Sequence, residues 1–123
     1  MTRTARKVVV GDDGKSRFEE LPIEFHHLDD VVPGGAFDAA PLGSNEVALV
    51  RFRPGFVADW HHTPAPTWMM VMTGRMELGL SDDVWAELVP GDVVYMTDAS
   101  GDGHRSRVLG DEDVLMATAG FGG

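Results

Sequence analysis

The chain has 123 residues, a formal net charge of −10 and no cysteine, a length that suits one domain with its own core. The missing thiols exclude disulfide frameworks, zinc knuckles and cysteine nucleophiles, and the acidity without a basic stripe argues against nucleic acid or an anionic membrane as partner. No window approaches the roughly 20 apolar residues of a membrane span, the start Met1 to Lys7 lacks the apolar run of a signal peptide, and a cytoplasmic protein is expected.

Fifteen glycines and seven prolines punctuate the chain, and no helical stripe of useful length appears between them. Lys7 to Val10 reads as a strand, Gly11 to Gly14 as a hairpin turn and Ser16 to Glu20 as the returning strand. Residues 22–43, with Pro33-Gly34-Gly35 and Pro41 inside them, read as a loop with a short strand near Ile23 to His26. The pattern then sharpens. Glu46 to Arg53 ends at Pro54-Gly55, Val57 to His62 follows, and Thr67 to Met72 ends at Thr73-Gly74. Arg75 to Leu80, the turn Ser81 to Asp83, Val84 to Leu88 and, after Pro90-Gly91-Asp92, Val93 to Thr97 come next. A Gly/Asp-rich loop over Asp98 to Gly103 leads to His104 to Leu109 and Val114 to Ala119. Eight or more short strands at this spacing predict an all-β fold, a jelly-roll β-barrel in a single domain over residues 1–123. The barrel core is placed at about 46–119, with an N-terminal hairpin and loop over 1–45.

The order Pro-Gly, His pair, Pro-rich turn, apolar strand, Gly, then Pro-Gly-Asp, strand, loop and His resembles the cupin family. The first cupin motif, G-x5-H-x-H-x3-4-E-x6-G, falls on Gly55, His61, Thr63, Thr67 and Gly74. The second, G-x5-P-x-G-x2-H-x3-N, places its Gly on Gly91, its Pro on Thr97, its His on His104 after a longer loop and its Asn on Val108. The resemblance covers residues 46–119 and implies a small barrel with an internal pocket. It implies a homodimer paired through edge strands, as an open sheet edge invites. The family's usual metal site is three His and one Glu, and two of those four positions remain here.

Strand alternation brings candidate residues together independently of the family. If His61 faces the interior, Thr63 does too and His62 faces away, unless a bulge at the adjacent histidines re-aims them. Thr67 and Met69 share a face, Trp68, Met70 and Met72 share the other, and Tyr95 goes with Val93 and Thr97. His61 and His104 are therefore the candidate catalytic pair, with Thr63, Thr67, Met69 and Tyr95 lining the substrate site and Arg53 available for a carboxylate. A neutral imidazole can act as general base and a second as general acid, which suits isomerase, cyclase or lyase chemistry on a compact oxygen-bearing metabolite. Alternatively, His61, His62 and His104 hold one divalent ion, zinc, iron, nickel or manganese, or the barrel is a small-ligand-binding module without catalysis, or an iron-dependent dioxygenase. Plainer structural readings stand beside these. His61-His62 can cap a strand end, His26-His27 beside Asp29-Asp30 can belong to a solvated loop, and Asp98 can be a soluble loop residue.

Overall fold

The computed structural model describes residues 2–32, 35–40, 43 and 46–120. Twelve strands run through them: β1 (Thr2–Val10), β2 (Ser16–Glu24), β3 (His26–Val32), β4 (Gly35–Ala39), β5 (Glu46–Phe52) and β6 (Val57–His61). They continue as β7 (Thr67–Thr73), β8 (Arg75–Leu80), β9 (Val84–Leu88), β10 (Val93–Met96), β11 (His104–Leu109) and β12 (Val114–Gly120). The elements after residue 45 lie where the turn residues placed them. Gly55, Gly74, Gly91 and Gly103 all adopt positive φ, so the glycines that divide the sequence also turn the backbone.

The N-terminal part differs from the sequence expectation. The β1–β2 pairing runs from Val10↔Ser16 to Thr2↔Glu24, five residues beyond the expected start of β1 and four beyond the expected end of β2. It passes through Pro22, which is tolerated because β2 is an edge strand with no outer neighbour needing its N–H. Much of the expected loop is instead the antiparallel pair β3 and β4. His26 and His27 are exposed residues of that strand, not of a loop. Pro33, Gly34 and Pro41 lie outside the described residues.

Six strands form one sheet in the order β2-β1-β10-β7-β12-β5, and four form a second in the order β6-β11-β8-β9. Alternation sends Val8, Val71, Val94, Met96, Val114 and Met116 from the first sheet and Met76, Leu78, Leu80, Leu88 and Val108 from the second into one shared core. Each such side chain, fully buried, contributes about 1.5–3 kcal/mol. Phe18, Phe52, Phe56 and Met69 pack against its margin. The large sheet also carries apolar residues on its other face, where Trp68 stacks on Tyr95 at 4.3 Å beside Ala5, Leu21 and Ile23.

Candidate functional site at one end of the barrel

The end of β6, the start of β7, the end of β10 and the start of β11 meet at one end of the two sheets. Thr67 pairs with Met96 in one sheet and His104 with His61 in the other. Backbone N–H of Thr63 donates to the Asp98 carbonyl across the gap at 3.2 Å. Gly103 makes the close approach of β6 and β11 possible. Its φ is +80°, and a Cβ there would lie 2.3 Å from the His61 carbonyl oxygen.

His61 and His104 are direct cross-strand partners, and their ring centroids are 4.2 Å apart at 58°. His61 is exposed at the rim and His104 is buried. Carbonyl and carboxylate oxygens can only accept, so the contacts fix the tautomers. His61 Nδ1–H donates to the Asp59 carbonyl at 2.7 Å. His104 Nδ1–H donates to the Asp98 carboxylate at 2.6 Å. Both Nε2 atoms are then left with no hydrogen-bond partner among the described residues. His62 turns away and donates Nε2–H to the Gly101 carbonyl at 2.7 Å.

Asp98 is the residue that sequence reasoning missed. Its side chain is 0% exposed, and Oδ1 has no partner among the described residues. A buried ionised group is tolerated chiefly when paired, and the Asp98 carboxylate is committed to the His104 ring. The signal was available. Asp98 continues the inward series Val94, Met96, Asp98 at period two, whereas the Gly/Asp-rich composition pointed to a solvated loop.

The remaining expected residues divide. Met69 packs against the core margin, on the same strand face as Thr67 and Val71. Thr67 stands at the start of β7, and its hydroxyl donates to the Ala65 carbonyl at 2.9 Å. Thr63 is half-buried beside Asp98. Tyr95 does not line this end. It lies on the opposite face of the large sheet, stacked on Trp68, because Val94 and Met96 take the inward positions. Arg53 is also elsewhere. Phe52 packs toward the core, and Arg53 is exposed in the turn after β5. The 98–103 loop, whose glycines would permit a lid, is tied down. Besides the Thr63 and His62 bonds, Asp102 N–H donates to Gly14 at 2.9 Å and the Asp102 carboxylate accepts from Ser81 at 2.8 Å.

Solved structures share this arrangement of strands. A Cupin 2 conserved barrel domain protein from Salinispora arenicola aligns over 81% of this chain and 76% of its own, at 24% identity and TM-score 0.53. The chain has the cupin fold. A cupin-like protein from Thermotoga maritima aligns over 80% of this chain and 68% of its own, at 20% identity and TM-score 0.53. An RmlC-like cupin from Methanocaldococcus jannaschii aligns over 60% of this chain at 14% identity and TM-score 0.52, and the match spans 66% of that protein. No family model and no curated protein matches the sequence. At these identities the likeness concerns architecture.

A cupin metal site needs more donors than this end supplies. Among the described residues, no three His, Cys, Asp or Glu side chains gather as a ligand set. The motif's second His and its Glu are Thr63 and Thr67 here. The Asp98 carboxylate is bonded to His104 Nδ1, and the His62 ring is turned to Gly101, so the expected set of His61, His62 and His104 is not assembled. Two imidazoles fall short of the three protein ligands of a catalytic zinc site or the two-His, one-carboxylate triad of an iron oxygenase.

Proposed function

We propose that this cupin-fold protein is a small-molecule enzyme of isomerase, cyclase or lyase type, working by proton transfer between the substrate and two imidazoles, His104 at carbon and His61 at oxygen. The observation that carries the reading is the order Asp98, His104, His61 from buried carboxylate to exposed rim. Asp98 holds one tautomer of His104 and directs its Nε2 lone pair outward, the role an aspartate plays behind a catalytic histidine. His104 Nε2 takes a proton from the carbon next to a substrate carbonyl. Positive charge then develops on a ring whose Nδ1–H already faces a carboxylate. His61, whose Nδ1–H is held by Asp59, carries a proton on Nε2 when it acts as the acid. It gives that proton to the carbonyl oxygen, forming the enol, and takes it back when the carbonyl re-forms. In that second step His104 Nε2–H delivers its proton to a different carbon of the enol, or to the leaving group that the enol expels. Thr67 and Met69 offer one polar and one apolar contact, which suits a compact, partly apolar, oxygen-bearing substrate.

The test is hydrogen–deuterium exchange at carbon. A panel of small β-keto acids, 1,3-diketones and α-hydroxyketones is incubated in D2O with the protein, and loss of the acidic C–H signal is followed by proton NMR. Wild-type protein is expected to accelerate exchange of at least one compound. His61→Ala and His104→Ala are each expected to lose about 10²-fold or more of that acceleration, with elemental analysis finding no stoichiometric metal. Binding without exchange would make the protein a ligand-binding module. Stoichiometric iron with oxygen consumption would make it an oxygenase. Either outcome overturns the proposal.

A further inference from the structure

Which of two adjacent histidines faces His104 is decided by one extra residue in β6. Along β11, one residue separates His104 from Ser106, but along β6 two separate their partners His61 and Ala58. Asp59 and Trp60 together therefore oppose the single residue Arg105, which is a β-bulge. In a regular strand starting from Ala58, alternation would turn Trp60 and His62 inward and His61 outward. The bulge reverses this, and its own Asp59 carbonyl accepts His61 Nδ1–H at 2.7 Å. The bulge thus selects the histidine and fixes its tautomer.

A stack on the outer face of the four-stranded sheet lies against the bulge. The Arg105 guanidinium lies 4.9 Å from the Trp60 ring centroid and 4.7 Å from that of Trp85. Its Nη2 donates to the Asp83 carboxylate at 2.9 Å, and Trp85 Nε1–H donates to the same oxygen at 2.7 Å. Trp85 lies flat over Gly79, where a Cβ would come within 2.8 Å of the ring. Asp83 meets both donors from a left-handed backbone, φ 56°. Arg105 adjoins His104 in sequence and Trp60 adjoins His61. One cation–π contact on the outside therefore sits behind both imidazoles on the inside.

We infer that Trp60 and Arg105 are positioning residues: their contact pins the β6 bulge and keeps His61, in its Nδ1–H tautomer, opposite His104. The inference rests on the proposed function for its catalytic consequence but not for its structural one. The test is long-range 15N–1H NMR of the histidine rings in the full chain, with Trp60→Ala, Trp60→Phe and Arg105→Ala. Wild type is expected to show one tautomer for His61, protonated at Nδ1. Trp60→Ala and Arg105→Ala are expected to mix the two His61 tautomers while His104, held by Asp98, keeps its own. Trp60→Phe, which retains a ring for the guanidinium, is expected to restore the wild-type signature. Carbon-exchange kcat is expected to fall about tenfold in Trp60→Ala, with KM within twofold. An unchanged His61 spectrum in both alanine variants overturns the inference, as does a His104 signal that moves equally. Absence of turnover in every protein, wild type included, would count against the proposed function and leave the tautomer result standing.

Discussion

Asp98 carries the sharpest consequence of a single side chain. Asn there keeps the volume but presents either an amide N–H or a neutral oxygen to His104 Nδ1, so the ring loses both its enforced tautomer and the facing charge. Asp98→Asn is expected to lower the exchange rate on the order of 10²–10⁴-fold, read by the same D2O assay, while circular dichroism shows an intact fold. Gly103 is the second such residue. Ala at φ +80°, with its Cβ against the His61 carbonyl, is expected to destabilise the protein by about 2–4 kcal/mol, read by urea denaturation. The His61–His104 convergence was legible in part, because the two strands could be drawn from their turns. Asp98 was hidden by the Gly/Asp-rich composition of its loop, and Tyr95 was misplaced because both faces of its strand are apolar. In β10 both the series Val93-Tyr95 and the series Val94-Met96 are apolar, since the large sheet is covered on both faces near Trp68. With no polar face to mark solvent, alternation gives two sets but not which one points inward.

At the level of elements, the 98–103 loop is fastened at Thr63, His62, Gly14 and Ser81. Ser81 also accepts from the Ser16 backbone N–H at 2.9 Å, so the β1–β2 hairpin, the 81–83 turn and this loop are one connected clamp. Ser81→Ala removes the hydroxyl from that clamp. It is expected to raise amide hydrogen exchange at Asp102 and Ser16 by about tenfold or more, with little change in β8 and β11, as local opening requires. Equal protection in the variant would show that the backbone bonds alone hold the loop. The hairpin and the post-45 strands were readable because Gly and Pro mark their ends. The β3–β4 pair was not, since His26 to Val32 has neither alternation nor a turn signature at its start. The β6 bulge left no mark in sequence beyond the adjacent histidines themselves. Its position follows from cross-strand register, which a single strand does not encode.

For the whole molecule, the two-sheet sandwich buries its core but leaves an apolar edge. β5 ends the large sheet, and Val47 and Leu49 on it are 76% and 69% exposed. Met72, on the outward face of β7, is 50% exposed. An edge strand with exposed β-branched and aliphatic residues favours pairing with another chain. We propose that a second copy covers it. Light scattering is expected to give a homodimer mass, and Val47→Glu with Leu49→Lys a monomer. A monomeric wild type would leave that edge unexplained by self-association.

The acid–base assignment is tested most directly by a crystal structure of the protein soaked with whichever panel compound exchanges fastest. The expected electron density places the carbonyl oxygen and the exchanging carbon within about 2.6–3.2 Å of His61 Nε2 and His104 Nε2 respectively, with Asp98 still bonded to His104. A ligand bound elsewhere, or two Nε2 atoms turned away from it, would contradict the assignment.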